Sequence, residues 1–358
     1  MCQARGVQTP LAPLRWGILG TGGIARGFAQ DLAGVPGAHL VAVGSRTQAA
    51  ATAFAADVAG SFPGVRAHAS WAALVADDAV DAVYVATPHP WHAEGALLAI
   101  AAGRHVLVEK PFTMDAAQAR EVVAAARAAG VVCLEAMWTR FLPHTRRLRD
   151  LVAQGAIGEV VTVSADHGQW FPADPAHRLF DPALGGGALL DLGIYVVSWA
   201  SMLLGTPSSV LASSTPAFTG VDAQTSIVLG YPARAGQEAS VAQAVLTCTL
   251  AAATPRRAFV AGTEGAIDVD PTFYAPTGFT LTRRDGRVER FDTPPEFATS
   301  PGKGLRLEAA EVAHLVALGT LESPHLPLDE TISIMETLDE VRRQVGLTYA
   351  DYSGSSDK

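Results

Sequence analysis

Cysteine and charge are both scarce in this sequence, and each scarcity argues against a class of protein. The three cysteines, Cys2, Cys133 and Cys248, are an odd number and have no metal-ligand or redox spacing. We therefore expect reduced thiols, a cytoplasmic protein and no metal site. Charged residues make up 17% of the chain and the net charge is −9, so the basic surface that nucleic acids and anionic membranes require is missing.

A long hydrophobic run is also missing, although 49% of the residues are hydrophobic. The best candidate for a membrane span is Leu192–Gly205, and it is shorter than the roughly 20 residues that a spanning helix needs. The N-terminus lacks a basic segment followed by an apolar stretch, so we expect no signal peptide. The pattern predicts a chain with no membrane partner and a buried helix at this position.

The sequence does contain a glycine-rich turn between a predicted strand, Leu14–Leu19, and a predicted helix. Gly20 permits a tight turn, Gly22 lets the backbone approach a pyrophosphate, and Ala25 lets the helix pack closely on the strand. The free N–H groups at the start of the helix suit an anion. The turn therefore predicts a dinucleotide site made of Gly20, Thr21, Gly22, Gly23, Ile24 and Ala25.

The next predicted strand, His39–Gly44, ends at Ser45, Arg46 and Thr47. An NAD site usually has an acidic residue here to bind the ribose hydroxyls, and this sequence has none. Arg46 is suited to a 2′-phosphate, with Ser45 and Thr47 as hydrogen-bond donors. We therefore predict NADP as the cofactor, with NAD as the alternative.

Strands and helices go on alternating as far as about residue 135, which predicts a doubly wound parallel sheet. Ligands of such sheets bind beyond the carboxyl ends of the strands. The residues there that we assign to the cofactor are Thr87, Pro88, His92, Glu109 and Lys110.

The second half has a different pattern, with short alternating runs separated by Gly, Pro and Asp residues. Such runs predict a large, mostly antiparallel and open sheet, followed by two helices. We therefore expect an α/β Rossmann domain over residues 1–135 and an α+β domain, which binds substrate and dimerises, over residues 136–358.

Several segments together resemble the Gfo/Idh/MocA oxidoreductases. They are Gly20–Ala25, Thr87–His92, Gly103–Pro111, Glu135–Phe141, Gly185–Tyr195, Gly304–Arg306 and Glu322–Pro324, so the resemblance covers nearly the whole chain. Glu109-Lys110-Pro111 is the most specific of these motifs. The segment Glu135–Phe141, the tyrosine at 195 and Glu322–Pro324 most resemble dimeric dihydrodiol dehydrogenases, and NADP-dependent D-xylose dehydrogenases are almost as similar.

The resemblance implies a catalytic group of Lys110, Asp191 and Tyr195, with Lys110 at the nicotinamide. Asp191 and Tyr195 are four residues apart within a predicted helix and so share one face. We expect the Lys110 cation to lower the pKa of Tyr195, and Tyr195 to exchange a proton with the substrate oxygen. In the alternative, Lys110 itself transfers the proton, and the sequence does not separate the two.

Other polar residues in these motifs have more than one interpretation. We assign Trp138 and Arg140 to the cofactor. We assign Trp138 and Arg178 to the substrate, together with the three catalytic residues Lys110, Asp191 and Tyr195, while Arg178 is equally consistent with a surface arginine. His92 either caps the next helix or contacts the cofactor. The family often has Asn where this chain has His89, which leaves the role of that side chain open.

We therefore predict an NADP-dependent oxidoreductase that moves a hydride between the nicotinamide and a carbon of a cyclic, polyol-like substrate. A trans-dihydrodiol and an aldose such as D-xylose are the leading substrates. The resemblance also implies a homodimer or a higher homo-oligomer, formed through the open sheet. The alternatives are a dinucleotide-binding sensor without catalysis, and an NAD-dependent inositol or sugar dehydrogenase.

Overall fold

A computed structural model describes residues 13–232, 242–298 and 304–349. The first part is a six-stranded parallel sheet in the order β3-β2-β1-β4-β5-β6. The central strands are buried on both faces because they are continuous apolar runs between two layers of helices. The strands are β1 Leu14–Leu19, β2 Ala38–Gly44, β3 Arg66–His68, β4 Ala82–Val85, β5 His105–Glu109 and β6 Cys133–Ala136.

Short polar residues begin the helices of this domain. Thr47, Ser70 and Asp115 each accept a hydrogen bond from a backbone N–H in the first turn of the helix that follows, as N-cap residues do. The helices are α1 Gly23–Leu32, α2 Gln48–Val58, α3 Trp71–Val75, α4 His92–Ala101 and α5 Ala116–Ala129. The predicted doubly wound Rossmann domain is confirmed.

The second part is an eight-stranded sheet in the order β14-β13-β12-β11-β7-β10-β9-β8. Only the β7–β10 pair is parallel, so the predicted antiparallel character is confirmed. The strands are β7 Val160–Gly168, β8 Ser209–Pro216, β9 Asp222–Gly230, β10 Gln243–Thr249, β11 Ala258–Gly262, β12 Gly265–Val269, β13 Phe279–Arg283 and β14 Val288–Phe291.

Helices cover one face of this sheet and connect it to the first domain. They are α6 Pro143–Ala153, α7 Ile194–Leu204, α8 Pro295–Ala298, α9 Arg306–Leu318 and α10 Leu328–Val345. Helix α7 packs on β7 and β10, and α10 packs on β8. Helices α9 and α10 also pack on β6 of the first domain, so the two domains are closely joined. The predicted boundary at residue 135 falls within β6.

The predicted helix that holds Asp191 and Tyr195 has two parts. Leu189–Gly193 forms a π-helical turn, which leads directly into α7. Within the described residues, one segment, Pro182–Leu204, is long and apolar enough to cross a membrane, but 89% of its most apolar window is buried inside the protein. Its burial, and not its length, makes it a core helix of the second domain.

Candidate active site

One cleft of about 950 Å³ contains most of the predicted site residues. The carboxyl ends of the parallel strands form one side, and β7 and α7 of the second domain form the other. The predicted residues that line it are Gly20, Thr21, Gly22, Gly23, Ile24, Ser45, Arg46, Thr87, Pro88, His92, Glu109, Lys110, Trp138, Arg178, Asp191 and Tyr195. The loops that were expected to face one crevice therefore do so.

The glycine turn leaves open space where a cofactor is expected. A Cβ on Gly22 or Gly23 would have no atom within 4 Å, so both backbones are accessible from the cleft. Gly20 has a φ of +104°, and a Cβ there would lie 2.5 Å from the Ala86 carbonyl oxygen. The turn thus requires glycine at position 20 for its shape, and it presents the N-terminus of α1 to the cleft.

Three residues of the predicted cofactor set lie outside the cleft, namely Ala25, Thr47 and Arg140, which is described below. Ala25 is buried in the core, where its small side chain lets α1 approach the sheet. The Thr47 hydroxyl accepts the Ala50 N–H at 3.3 Å and so caps α2. Arg46 remains in the cleft, with its guanidinium 5.7 Å from the centre of the Trp91 ring. Arg46 is therefore the one cation of this loop that can meet a phosphate.

Lys110 directly follows β5 and reaches across the cleft to the π-helical turn. Its ammonium donates to the Asp191 carbonyl oxygen at 2.9 Å and to Asp191 Oδ1 at 3.2 Å. The same nitrogen lies 5.0 Å from the centre of the Tyr195 ring. The three predicted catalytic residues are therefore in contact, and an ammonium has a third hydrogen available for a ligand.

The Asp191 carboxylate is ionised despite its burial. Burial alone would raise its pKa, but the positive charges of Lys110 and Arg178 lower the pKa well below its usual range. The Arg178 guanidinium lies 3.0 Å from Asp191 Oδ1. Arg178 therefore reaches the site, as one of its two interpretations predicted. Because Asp191 carries no proton near neutral pH, it acts as an acceptor and an anchor rather than as an acid.

The expectation that Lys110 lowers the pKa of Tyr195 is wrong for this geometry. Burial and the negative charge of Glu109 raise the pKa of Tyr195 well above 10. Lys110 lies over the ring, and the hydroxyl oxygen instead accepts the Trp138 indole N–H at 3.0 Å. Tyr195 is therefore a neutral phenol, and its own O–H is available to a ligand.

His92 is the first residue of α4 but does not cap it with its side chain, and it lies at the wall of the cleft. Its Nδ1 lies 2.7 Å from the Pro111 carbonyl oxygen and its Nε2 lies 2.9 Å from the Thr87 carbonyl oxygen. Burial lowers its pKa to about 4, so the neutral ring donates to only one of these carbonyls at a time. His92 ties together the loops that follow β4 and β5.

The assignment of Arg140 to the cofactor is wrong. The side chain is buried outside the cleft, where it donates to Ser198 Oγ at 2.9 Å and to the Ser198 carbonyl oxygen at 2.8 Å. It also pairs with Glu330 at 2.6 Å. Buried charges need such partners, and these connect α7 to α10.

The substrate side of the cleft contains residues that the sequence did not single out. His167 stacks on Tyr274, with ring centres 3.9 Å apart. The Gln169 amide nitrogen lies 3.0 Å from His167 Nε2 and donates to the Tyr274 hydroxyl at 3.3 Å. His167 also meets the Tyr195 ring edge-on. These residues come from β7 and from the segment after β12. No motif marks them, since only the sheet topology brings them to Tyr195.

A buried acidic group lies behind Lys110. The Tyr84 hydroxyl donates to Glu109, whose other oxygen accepts the Lys110 backbone N–H. Glu308 of α9 is fully buried, and neither of its carboxyl oxygens has a hydrogen-bond partner among the described residues. Burial and the nearby Glu109 carboxyl raise the pKa of Glu308 well above 4.5.

Comparison with known proteins identifies the family. Residues 14–137 match the oxidoreductase family with an NAD-binding Rossmann fold, and residues 145–268 match the GFO/IDH/MocA C-terminal domain. The NADP-dependent D-xylose 1-dehydrogenase of Hypocrea jecorina is 35% identical, with 94% of this chain and 93% of that protein covered. The trans-1,2-dihydrobenzene-1,2-diol dehydrogenase of Bos taurus is 36% identical, with 94% and 98% covered.

Solved structures agree with the sequence relatives. The aldose–aldose oxidoreductase of Caulobacter crescentus superposes with a TM-score of 0.80 at 26% identity, covering 93% of this chain and 97% of that one. The 3-ketoreductase KijD10 of Actinomadura kijaniata, in complex with NADP and TDP-benzene, gives a TM-score of 0.77 at 28% identity, with 93% and 98% covered. The chain is therefore an oxidoreductase of the GFO/IDH/MocA family, as its motifs indicated.

Proposed function

We propose that this protein is an NADP-dependent dehydrogenase that acts on a secondary hydroxyl group of a small polyhydroxylated molecule, a trans-dihydrodiol or an aldose such as D-xylose. The contact of Lys110, Asp191 and Tyr195 at one point of the cleft is the observation that carries the proposal. The named activities of the relatives, which align along almost the whole chain, support both substrate classes.

The cofactor end of the cleft fits NADP. The open backbone at Gly22 and Gly23, at the start of α1, suits a pyrophosphate. Arg46 suits a 2′-phosphate, and β2 is followed by no acidic residue that would repel one. When bound, the nicotinamide supplies the hydride chemistry.

The residues of the chain orient the substrate and move one proton. In the reductive direction the Tyr195 phenol gives its proton to the substrate carbonyl oxygen. The oxidative direction is the reverse, so Tyr195 must then enter as the phenolate that takes the proton of the substrate hydroxyl. The third N–H of Lys110 holds the same oxygen, while Asp191 keeps Lys110 in place. Among the described residues the Tyr195 hydroxyl only accepts a hydrogen bond, whereas Lys110 already donates twice to Asp191, and this favours Tyr195 over Lys110 as the proton donor.

The test is turnover by the purified chain with NADP or NAD and a panel of trans-dihydrodiols, aldoses and inositols, followed through the absorbance of the reduced nicotinamide. We expect faster turnover with NADP, and activity on a dihydrodiol or an aldose. Faster turnover with NAD would contradict the role of Arg46. NADPH binding without turnover of any substrate would contradict the dehydrogenase and favour a sensor.

The Lys110→Met variant tests the catalytic group. We expect kcat to fall by about 10²–10⁴-fold, the usual contribution of a positioned acid–base group, while NADPH still binds. Arg104→Met is the matched control, because it removes a cation that donates to the Val75 carbonyl oxygen outside the cleft. Wild-type turnover by Lys110→Met would rule out this mechanism.

We also propose a homodimer formed through the open face of the second sheet. Leu211, Val228 and Val245 lie side by side on β8, β9 and β10, and all three are exposed. Phe259 continues this row on β11, beyond Ser164 of β7. A contiguous apolar row on a sheet face of this kind is typical of a protein interface.

A further inference from the structure

His89 is a buried histidine in the cleft that the catalytic group does not use. It begins the 3₁₀ turn His89–Trp91, which follows β4, and only 6% of it is exposed. Its Nδ1 lies 3.1 Å from the Gly185 carbonyl oxygen, and its Nε2 lies 3.8 Å from Asp191 Oδ1. The nitrogen that carries the hydrogen therefore decides what His89 can bind.

The Gly185 contact determines the position of that hydrogen. A carbonyl oxygen only accepts hydrogen bonds, so the contact requires a hydrogen on Nδ1 of His89. The close approach depends on glycine, because Gly185 has a φ of +66° and a Cβ there would lie 2.9 Å from Met114 Sδ. The neutral ring then has a lone pair on Nε2.

The surroundings of His89 keep the ring neutral. Burial is the main cause that lowers its pKa well below 6.5, and the neighbouring His92 and the cations of Lys110 and Arg178 act in the same direction. The Asp191 carboxylate opposes them, but does not outweigh them. Nε2 is therefore a hydrogen-bond acceptor at the wall of the cleft, next to a second acceptor, the Asp191 carboxylate.

Donors and acceptors are separated within this part of the cleft. The Tyr195 hydroxyl and the third N–H of Lys110 offer hydrogens to the reacting oxygen. Among the described residues, neither Asp191 Oδ2 nor His89 Nε2 accepts a hydrogen bond. Asp191 Oδ1 lies 3.2 Å from Lys110 Nζ and 3.8 Å from His89 Nε2, so the lysine donor and the histidine acceptor are both next to the same carboxylate oxygen. That short separation suits oxygens on neighbouring carbon atoms.

We propose that His89 Nε2 accepts a hydrogen bond from the substrate hydroxyl adjacent to the carbon–oxygen bond that reacts. His89 is then a specificity-determining residue, which selects vicinal diols over substrates with a single hydroxyl. The inference rests on the proposed dehydrogenase function and names its substrate class. A substrate without the adjacent hydroxyl leaves a buried acceptor unpaired, and this costs binding free energy.

The experiment compares wild type with His89→Leu on two matched substrate pairs, D-xylose with 2-deoxy-D-xylose, and trans-cyclohexane-1,2-diol with cyclohexanol. We expect wild type to lose about tenfold or more in kcat/KM when the adjacent hydroxyl is removed, the value of one good hydrogen bond. His89→Leu should lose a similar factor on the diol, and should discriminate between the members of a pair by no more than about twofold. His39→Leu, which changes an exposed histidine on β2, should discriminate as wild type does.

The ratio within a pair separates specificity from damage to the site. A general disturbance of the cleft in His89→Leu lowers kcat/KM equally for both members of a pair, and that result would overturn the inference. NADPH binding shows whether the variant is folded, and His89→Phe, which keeps a planar ring but has no hydrogen-bond acceptor, replaces His89→Leu if it is not. Wild type inactive on all four compounds would contradict the proposed function itself, whereas an active enzyme with additive losses would contradict the His89 assignment alone.

Discussion

Glu308 shows how a single side chain gives the protein a pH-dependent stability. The pKa of Glu308 is raised in the folded protein and ordinary in the unfolded chain. Below about pH 4 the side chain is protonated in both states, so it does not lower the free energy of unfolding there. Stability is lost as pH rises from there toward the folded pKa, because only the unfolded chain releases the proton easily. The Glu308→Gln side chain cannot ionise. When the pH is raised from about 5 to about 8, the free energy of unfolding of this variant should therefore fall by less than that of wild type, the difference being about 1 kcal/mol or more.

Urea unfolding at both pH values measures this difference. Glu336→Gln, which changes an exposed glutamate on α10, is the matched control and should follow wild type. An equal loss of stability in wild type and Glu308→Gln would show that Glu308 is ionised, or paired, in the folded protein.

For single residues, the sequence predicted which catalytic candidates lie in contact, but it did not predict their protonation states. Lys110, Asp191 and Tyr195 were predicted because each belongs to a motif. Arg140 also belongs to a motif, but its partners Ser198 and Glu330 are 58 and 190 residues away. The pKa of Tyr195 likewise depends on burial and on Glu109, which become apparent only when the domains are packed together.

The turn before α7 is the element on which the site depends. Asp222 of β9 accepts the Leu189 N–H at 2.8 Å, and this holds the start of the π-helical turn that carries Asp191. A Cβ on Gly187 would lie 2.2 Å from Asp222 Oδ1, and its φ is +117°. The pattern of apolar residues predicted a helix here, but a π-helical turn cannot be read from it, since its cause lies on another strand.

Gly187→Ala should therefore destabilise the protein by about 3 kcal/mol or more, and should lower kcat through displacement of Asp191. Gly205→Ala, at the other end of the same helix, is the matched control: its φ is +82°, but a Cβ there would have no atom within 4 Å. It should cost about 1–3 kcal/mol, the usual cost of a side chain in such a backbone conformation, and leave kcat unchanged. Denaturant unfolding and initial rates measure both variants, and equal losses in the two would contradict the contact with Asp222.

For the whole molecule, the order of strands follows from simple rules. Apolar runs alternating with helices predicted the parallel sheet, and right-handed crossovers place all its loops at one cleft. The second sheet was predicted as mostly antiparallel, but the parallel contact of β7 with β10 was not. Pairing between strands so far apart in the chain leaves no local pattern, because it depends on which helices cover the sheet.

The open face of the second sheet leads to a prediction about the assembly of two copies of the chain. Val245 is half exposed, at the centre of the row that Leu211 and Val228 begin, so a charge there would be buried between two copies of the chain. Val245→Asp should weaken dimerisation by about 100-fold or more, because an unpaired buried carboxylate costs several kcal/mol. Leu318→Asp changes an equally exposed residue at the end of α9 and should remain dimeric. Sedimentation equilibrium measures all three proteins; a monomeric wild type, or a Val245→Asp variant that dimerises as wild type does, would show that this face is not the interface.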